Sequence, residues 1–228
     1  PIATAAIKNG FKVRLISGQP SSQTMEKDSK DIMSKHKIDH KLTKFTSSGI
    51  NPLREFIGFI QIILSLIYNR PSIIHTASIK GVLYGGLAAR ILGINSLVIS
   101  ISGLGFAFTG KKTFLKKILS IFFKFFLKFI CSHKNKKIIV QNIDDKNFIL
   151  FNNFAKLSEI ELIRGSGVDM NIFKYNEVDI NNKKIIFPAR LLFDKGVKEF
   201  LESSNTLSKE YPDWKFILAG AFDYKNPT

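Results

Sequence analysis

Residues 187–200 read "FPARLLFDKGVKEF" and place two cations five positions apart, Arg190 and Lys195, with Gly196 directly behind them. The apolar run before Arg190 suits a strand and the apolar spacing after Gly196 suits a helix, so both cations fall in a strand-to-helix connection. A helix that begins there directs the positive pole of its dipole toward the same point, where an anion is favoured by that pole and by both side chains. A diphosphate is the anion such a pair would hold. The plain alternative is an internal ion pair, for instance with Asp194.

Three more clusters occupy comparable positions. "SIIHTAS" ends in His75, Thr76 and Ser78; "VISISGLGFAF" leads into Ser102, Gly103 and Gly105; "IVQNIDD" leads into Gln141, Asn142, Asp144 and Asp145. Open α/β sheets bind ligands beyond the carboxyl ends of their strands, so all four clusters belong where a shared cleft would lie. The glycines of "SGLG" let backbone N–H groups approach a phosphate or sugar, or simply make a tight turn. His75 is placed to orient or protonate a substrate group, or is hydrogen-bonded in place. Asp144 and Asp145 suit the N-terminus of the next helix. No acidic cluster has metal-ligand spacing, and no metal is expected.

The elements that position these residues alternate between strand and helix. A small-residue helix over 1–10 is stopped by Gly10, and a strand follows over 11–17. A helix over 51–71 starts at Asn51-Pro52 and ends before Pro71. Then come a strand at "SIIHTAS", a helix at "GVLYGGLAARILG", a strand at "INSLVISISG", a long helix over about 113–132, a strand at "KKIIVQN", a short helix near 145–153 and a strand within "EIELIRGSGVD". This order predicts right-handed βαβ units and a parallel sheet. The polar segment 174–182 reads as a linker. Beyond it lie a strand ("KKIIFPAR"), a helix with Val197, Phe200, Leu201, Leu207 and Tyr211 on one face, and a strand ("WKFILAG"). The expected division is one domain over 1–173 and the opening of a second α/β domain over 183–228.

Composition sets limits. With 228 residues, 45% hydrophobic and 12% aromatic, the chain can bury a core. The single cysteine, Cys131, rules out a disulfide framework and suits a reducing compartment. No signal peptide is apparent, and the run "FIGFIQIILSLIY" is shorter than the roughly 20 residues of a spanning helix, so it reads as a buried one. A formal charge of +16 points to an anionic partner, although a general bias toward Lys, Asn, Ile and Phe contributes to it. Only six of the 34 basic residues are Arg, and most Phe lies in core-like runs, so no nucleic-acid partner is expected. In the helix over 113–132, Lys116, Lys117, Lys124 and Lys128 share about a third of the circumference; Phe114, Ile118, Ile121, Phe122, Phe125, Phe126 and Phe129 lie opposite. That pattern suits a helix lying on an anionic membrane surface or a core helix with a solvated lysine face, and in both cases the apolar arc is expected to cover the sheet.

The stretch from "PARLLFDKG" to the end resembles the start of the donor domain of glycosyltransferase family 4. "LYGGLAARILGI", "SISGLGFAFTG", "VQNIDD" and "RGSGVDMNIF" resemble, in order, segments of the subgroup that extends polyprenyl-diphosphate-linked saccharides. The resemblance implies a GT-B fold, two Rossmann-like α/β domains with parallel sheets facing across a cleft, the second incomplete and the first without its first strand. It implies retaining transfer of a hexose or N-acetylhexosamine from a UDP-sugar to a lipid-linked saccharide, in the biosynthesis of surface polysaccharide or glycan. Arg190 and Lys195 would hold the donor diphosphate, with amides around Gly103 and Gly105 adding to them. His75 would be the catalytic contact, and Lys80, Asn142 and Gly167 candidate cleft-lining residues. No cofactor or metal is implied. A bacterial, cytoplasmic enzyme, peripheral on the inner face of the plasma membrane, is expected. Gly81 departs from relatives, which often carry Pro after the lysine that corresponds to Lys80. The family's paired glutamates lie beyond Thr228, so the sequence resembles a fragment, expected to be inactive alone. A non-catalytic sugar-nucleotide or membrane binder and a GT-B-like epimerase are the competing readings.

Overall fold

The computed structural model describes residues 2–20, 23–46, 51–104, 114–165, 167–177 and 180–220. Helix α1 (Ile2–Lys8) ends where Gly10 adopts φ +84°, which lets Phe11 N–H reach back to Ala6 O at 3.1 Å and close the last turn. Strand β1 (Arg14–Gln19), helix α2 (Gln23–Lys35) and strand β2 (Asp39–Thr46) follow, and β1 pairs with β2 in parallel. Helix α3 (Pro52–Asn69) starts as its sequence dictates: Asn51 caps it by accepting Arg54 N–H at 3.2 Å, and Pro52 occupies the first turn, where a missing N–H costs nothing.

Strand β3 (Ile73–Ala77), helix α4 (Ile79–Ile91), strand β4 (Ser96–Ile101), helix α5 (Phe114–Cys131), strand β5 (Lys136–Val140), helix α6 (Ile143–Phe151) and strand β6 (Ile160–Leu162) form the repeating βα pattern. The four strands make one parallel sheet in the order β3-β4-β5-β6. Alternate residues of this sheet, including Leu97, Ile99, Ile138 and Val140, are fully buried against α4, α5 and α6. A Cβ on Gly86 of α4 would sit 2.6 Å from Ile130 of α5, so glycine there lets the two helices close up over the sheet.

The chain divides into two compact units, Pro1–Gly167 and Val168–Thr228. In the second, β7 (Lys184–Pro188) pairs in parallel with β8 (Lys215–Ala219), and helix α7 (Val197–Glu210) lies between them in sequence. Phe200 of α7 stacks on Phe187 at 5.0 Å between centroids and meets Phe216 edge-on at 6.3 Å. The buried side of α7 carries Ser204, while Leu201 and Tyr211, expected on that side, are exposed.

Two expectations about facing are corrected. On α5 it is Leu127, Ile130 and Cys131 that are buried, whereas Ile121, Phe122, Phe125 and Phe129 are exposed, with Phe125 at 66%. Both sides of this helix are apolar, and the sheet takes the aliphatic side because it fits the tight α4–α5 contact. The side chains of residues 114–119, Lys116 and Lys117 included, lie outside the described residues. Helix α3, expected to be buried, also turns Leu53, Phe56, Leu64 and Ile67 outward. No helix among the described residues is long and apolar enough to cross a membrane.

The facing of α5 yields a stability test. Leu127→Ala should cost about 2–5 kcal/mol in urea unfolding, and Phe125→Ala on the same helix less than about 1 kcal/mol. The reverse ranking would put the phenylalanine arc back in the core.

Candidate functional site

In the first unit, β1, β3 and β4 release their chains into one depression of about 410 Å³. Gly18 and Gln19 line it from β1, Ser78, Ile79 and Lys80 from the start of α4, and Ser102 and Gly103 from the connection after β4. Phe45 of β2 forms a further wall. Its ring has room because two neighbours lack side chains: a Cβ on Gly18 would lie 2.6 Å from the ring, and one on Gly58 of α3 would lie 2.8 Å from the Phe45 nitrogen. The ring then meets Tyr84 edge-on at 5.9 Å.

Lys80 reaches this rim from the first turn of α4. Its Nζ donates to Glu55 Oε1 at 2.8 Å, and Tyr84, one helical turn further on, donates to Glu55 Oε2 at 2.7 Å. Glu55 is nearly buried on α3 and so ties α3 to α4 through both oxygens. Burial, reinforced by the Glu55 carboxylate, pushes the Tyr84 hydroxyl far above its ordinary value, which keeps it a neutral donor. Glu55 and Tyr84 were not singled out in the sequence. The available signal was a lone carboxylate in an otherwise apolar helix, a group that needs partners when buried. Gly81 also acquires a reason: its N–H donates to Ser78 Oγ at 3.4 Å, a bond that proline could not make.

Gly103 adopts φ +132°, which favours glycine, and its Cα faces open space. The next residue, Leu104, is buried and donates its N–H to Asp145 Oδ1 at 2.9 Å. Gly105 lies outside the described residues. Asn142 is the N-cap of α6 and not a depression-lining residue: its Oδ1 accepts Asp145 N–H at 2.7 Å, and its Nδ2 donates to Asp145 Oδ2 at 2.9 Å. Asp145, exposed by only 4%, therefore does more than suit a helix end. Gly167 has φ +68° and open space at its Cα, at the end of the first unit.

His75 stands at the middle of β3, not at its end. Thr76 faces α4, so the His75 side chain leaves the opposite sheet face, and its Nε2 pairs with Ser100 Oγ at 2.7 Å. It does not line the depression. The ring is exposed in area, yet the surrounding sheet shields it enough to lower its pKa below the ordinary 6.5, so the imidazole is neutral at pH 7.

In the second unit, Arg190 follows β7 by two residues, and Lys195 ends a short 3-10 turn, Phe193–Lys195. Leu192, buried between them, donates N–H to Arg190 O at 2.8 Å and accepts from Lys195 N–H at 3.1 Å, which folds the connection tightly. Gly196, at φ +84°, then turns the chain into α7 with no side-chain cap on the helix. A Cβ on Gly220 would collide with Ala189 O, so glycine is needed where β8 passes the start of this connection. The strand before Arg190 is largely exposed: Ile185 and Ile186 are open on its two faces, and α7 meets it at Phe187. The Asp194 side chain, offered as an ion-pair partner, lies outside the described residues. Among the described residues, no cluster of three His, Cys, Asp or Glu side chains could hold a metal ion.

A family described as glycosyl transferase 4-like matches residues 1–142. Among solved structures, Anabaena Alr3699/HepE in complex with UDP and glucose is similar at a TM-score of 0.59 and 14% identity, over 94% of this chain and 62% of that one. Acinetobacter baumannii MurG is similar at a TM-score of 0.47 and 14% identity, over 95% of this chain and 60% of that one. The chain thus spans less than two thirds of the length of either structure. No curated protein matches it. The likeness to the Anabaena structure concerns the fold, α/β with parallel sheets as in GT-B glycosyltransferases. With the family matched over more than half of its length, the chain belongs to the glycosyl transferase 4-like family.

Proposed function

We propose that the protein is a retaining glycosyltransferase that moves a hexose or N-acetylhexosamine from a UDP-sugar to a hydroxyl of a polyprenyl-diphosphate-linked saccharide. The observation that carries this reading is the β7–α7 connection. Arg190 and Lys195 stand there at either end of a tight turn, and Gly196 opens a helix whose first amides have no side-chain cap. Cations beside uncapped helix amides suit a diphosphate. As the bond to the sugar breaks, negative charge gathers on the departing diphosphate, and fixed cations stabilise it where it forms. They supply the charge that a divalent metal supplies in other transferases. Family membership and the fold likeness to a structure that contains UDP and glucose agree with this assignment.

The acceptor saccharide is assigned to the depression of the first unit. An aromatic wall (Phe45), an amide (Gln19), hydroxyls (Ser78, Ser102) and a cation (Lys80) together suit a polyhydroxylated ligand. Glu55 neutralises much of the Lys80 charge, which favours sugar hydroxyls over a bare anion there. His75, bonded to Ser100 and outside the lining of the depression, is not assigned to the acceptor site. The lipid acceptor calls for a place on the inner face of the plasma membrane, and the outward phenylalanines of α5 suit it. Phe122, Phe125 and Phe129 would enter the headgroup region, with the exposed Lys128 beside the stripe toward anionic lipid, whereas Lys124 lies over the Phe148 ring at 5.4 Å.

Two measurements test these assignments. UDP titrated by calorimetry into wild type, Arg190→Ala and Lys195→Ala should bind about tenfold to a hundredfold more weakly to each variant, the scale of one charge-assisted bond. Equal affinity for all three, with the fold intact, would make the pair structural. In sedimentation with vesicles, wild type should pellet with phosphatidylglycerol more than with phosphatidylcholine, and Phe122→Ser/Phe125→Ser should reduce pelleting on both. Pelleting that ignores the double substitution would remove the phenylalanines from the contact.

A further inference from the structure

From the bonds around Asp145 we infer that this residue, through the Leu104 amide, is a positioning residue for Ser102 and Gly103, which line the depression, and not simply part of the cap of α6. The inference rests on the reading of that depression as a ligand site. Asp145 lies 41 positions from Leu104 in sequence, on a different βα connection, yet its Oδ1 accepts the Leu104 N–H at 2.9 Å. Its other oxygen accepts from Asn142 Nδ2 at 2.9 Å, and its own N–H donates to Asn142 Oδ1 at 2.7 Å. The carboxylate is thus held at two points and has one orientation. Nearly buried, it cannot exchange Leu104 for water.

The need for such a tie follows from Gly103. A glycine at φ +132° has no Cβ to restrict it, and its backbone can take other conformations. Ser102 and Gly103 border the depression. The bond just behind Gly103 at Leu104 therefore sets where their backbone groups point. A helix cap alone would not require the acid: Asn142 already caps α6 with its own oxygen. What the carboxylate adds is acceptance from two donors at once, one on each connection.

This pairing can be inverted. Asp145→Asn places an amide donor against either Asn142 Nδ2 or the Leu104 N–H, so one bond is lost. Asn142→Asp/Asp145→Asn restores every bond with donor and acceptor exchanged: the carboxylate now at position 142 accepts from the new amide at position 145, whose oxygen accepts from Leu104. Amide hydrogen exchange followed by NMR on the full 228-residue chain reads the outcome. In Asp145→Ala, which removes both acceptors, Leu104 should exchange about tenfold faster or more. Ile99 and Ile138 in the core, and Lys146 in the first turn of α6, should be unchanged, and the double variant should return Leu104 to the wild-type rate. Faster exchange at Lys146 with Leu104 unmoved would show a helix-cap role and overturn the inference. Parallel loss at all four amides, unrelieved by the double variant, would show a general structural role and overturn it equally. Exchange is read without ligand, so failure of the transferase reading would leave this result standing on its own.

Discussion

Parallel pairing of β3, β4, β5 and β6 obliges the chain to return over the sheet after each strand, and a right-handed return puts α4, α5 and α6 on the same face. The connections that leave these strands therefore gather along one edge. Burial of Leu97, Ile99, Ile138 and Val140 beneath the helices fixes this arrangement, since a one-residue slip would turn that row toward the open face. Gly86 allows α4 and α5 to close over it. With the strands held in register, Ser78 and Ser102 have one place each, on the rim of the depression.

Two acidic residues refine what hydrophobic burial leaves loose. Glu55 gathers Lys80 and Tyr84 onto α3, and Asp145 gathers Asn142 and the Leu104 amide. A buried hydrogen bond contributes only about 1 kcal/mol net, whereas leaving its partner unsatisfied costs about 1–3 kcal/mol. Such ties therefore specify more than they stabilise. Each joins two elements distant in sequence, and each steadies part of the rim of the depression. The second unit reaches a similar end by other means: the buried Leu192 draws the Arg190–Lys195 turn together through backbone bonds, and Gly196 and Gly220 give the chain room to pass.

Much of this was legible from residue order alone. Asn51-Pro52, Gly10 and the alternation of short apolar runs with helical stretches placed most element ends within a few residues. Helix α2 and strand β2 were not legible, since "QTMEKDSKDIMSK" has few apolar residues and "DHKLTKFT" alternates only weakly. Facing was harder still. A period of 3.6 separates two arcs of α5, but when Leu127 and Ile130 on one and Phe125 and Phe129 on the other are all apolar, only the packed partner decides which goes in. Strand phase misplaced His75 in the same way: a residue near the end of an apolar run stood at mid-strand. Asn142 and Asp145 were visible as polar residues at a helix start, but the reach of Asp145 to Leu104 is a contact between two connections that no local pattern contains. Arg190 and Lys195 were the clearest feature of the sequence, and the structure places both in a strand-to-helix turn.

The most direct test of that turn as a diphosphate site is a two-dimensional amide NMR spectrum recorded while UDP is added. Progressive, saturable shifts at Arg190, Lys195 and Gly196, larger than those elsewhere in the second unit, are the expected result. If UDP binds and these three amides stay unmoved while others shift, the β7–α7 connection is not the diphosphate site and the proposed donor assignment is contradicted.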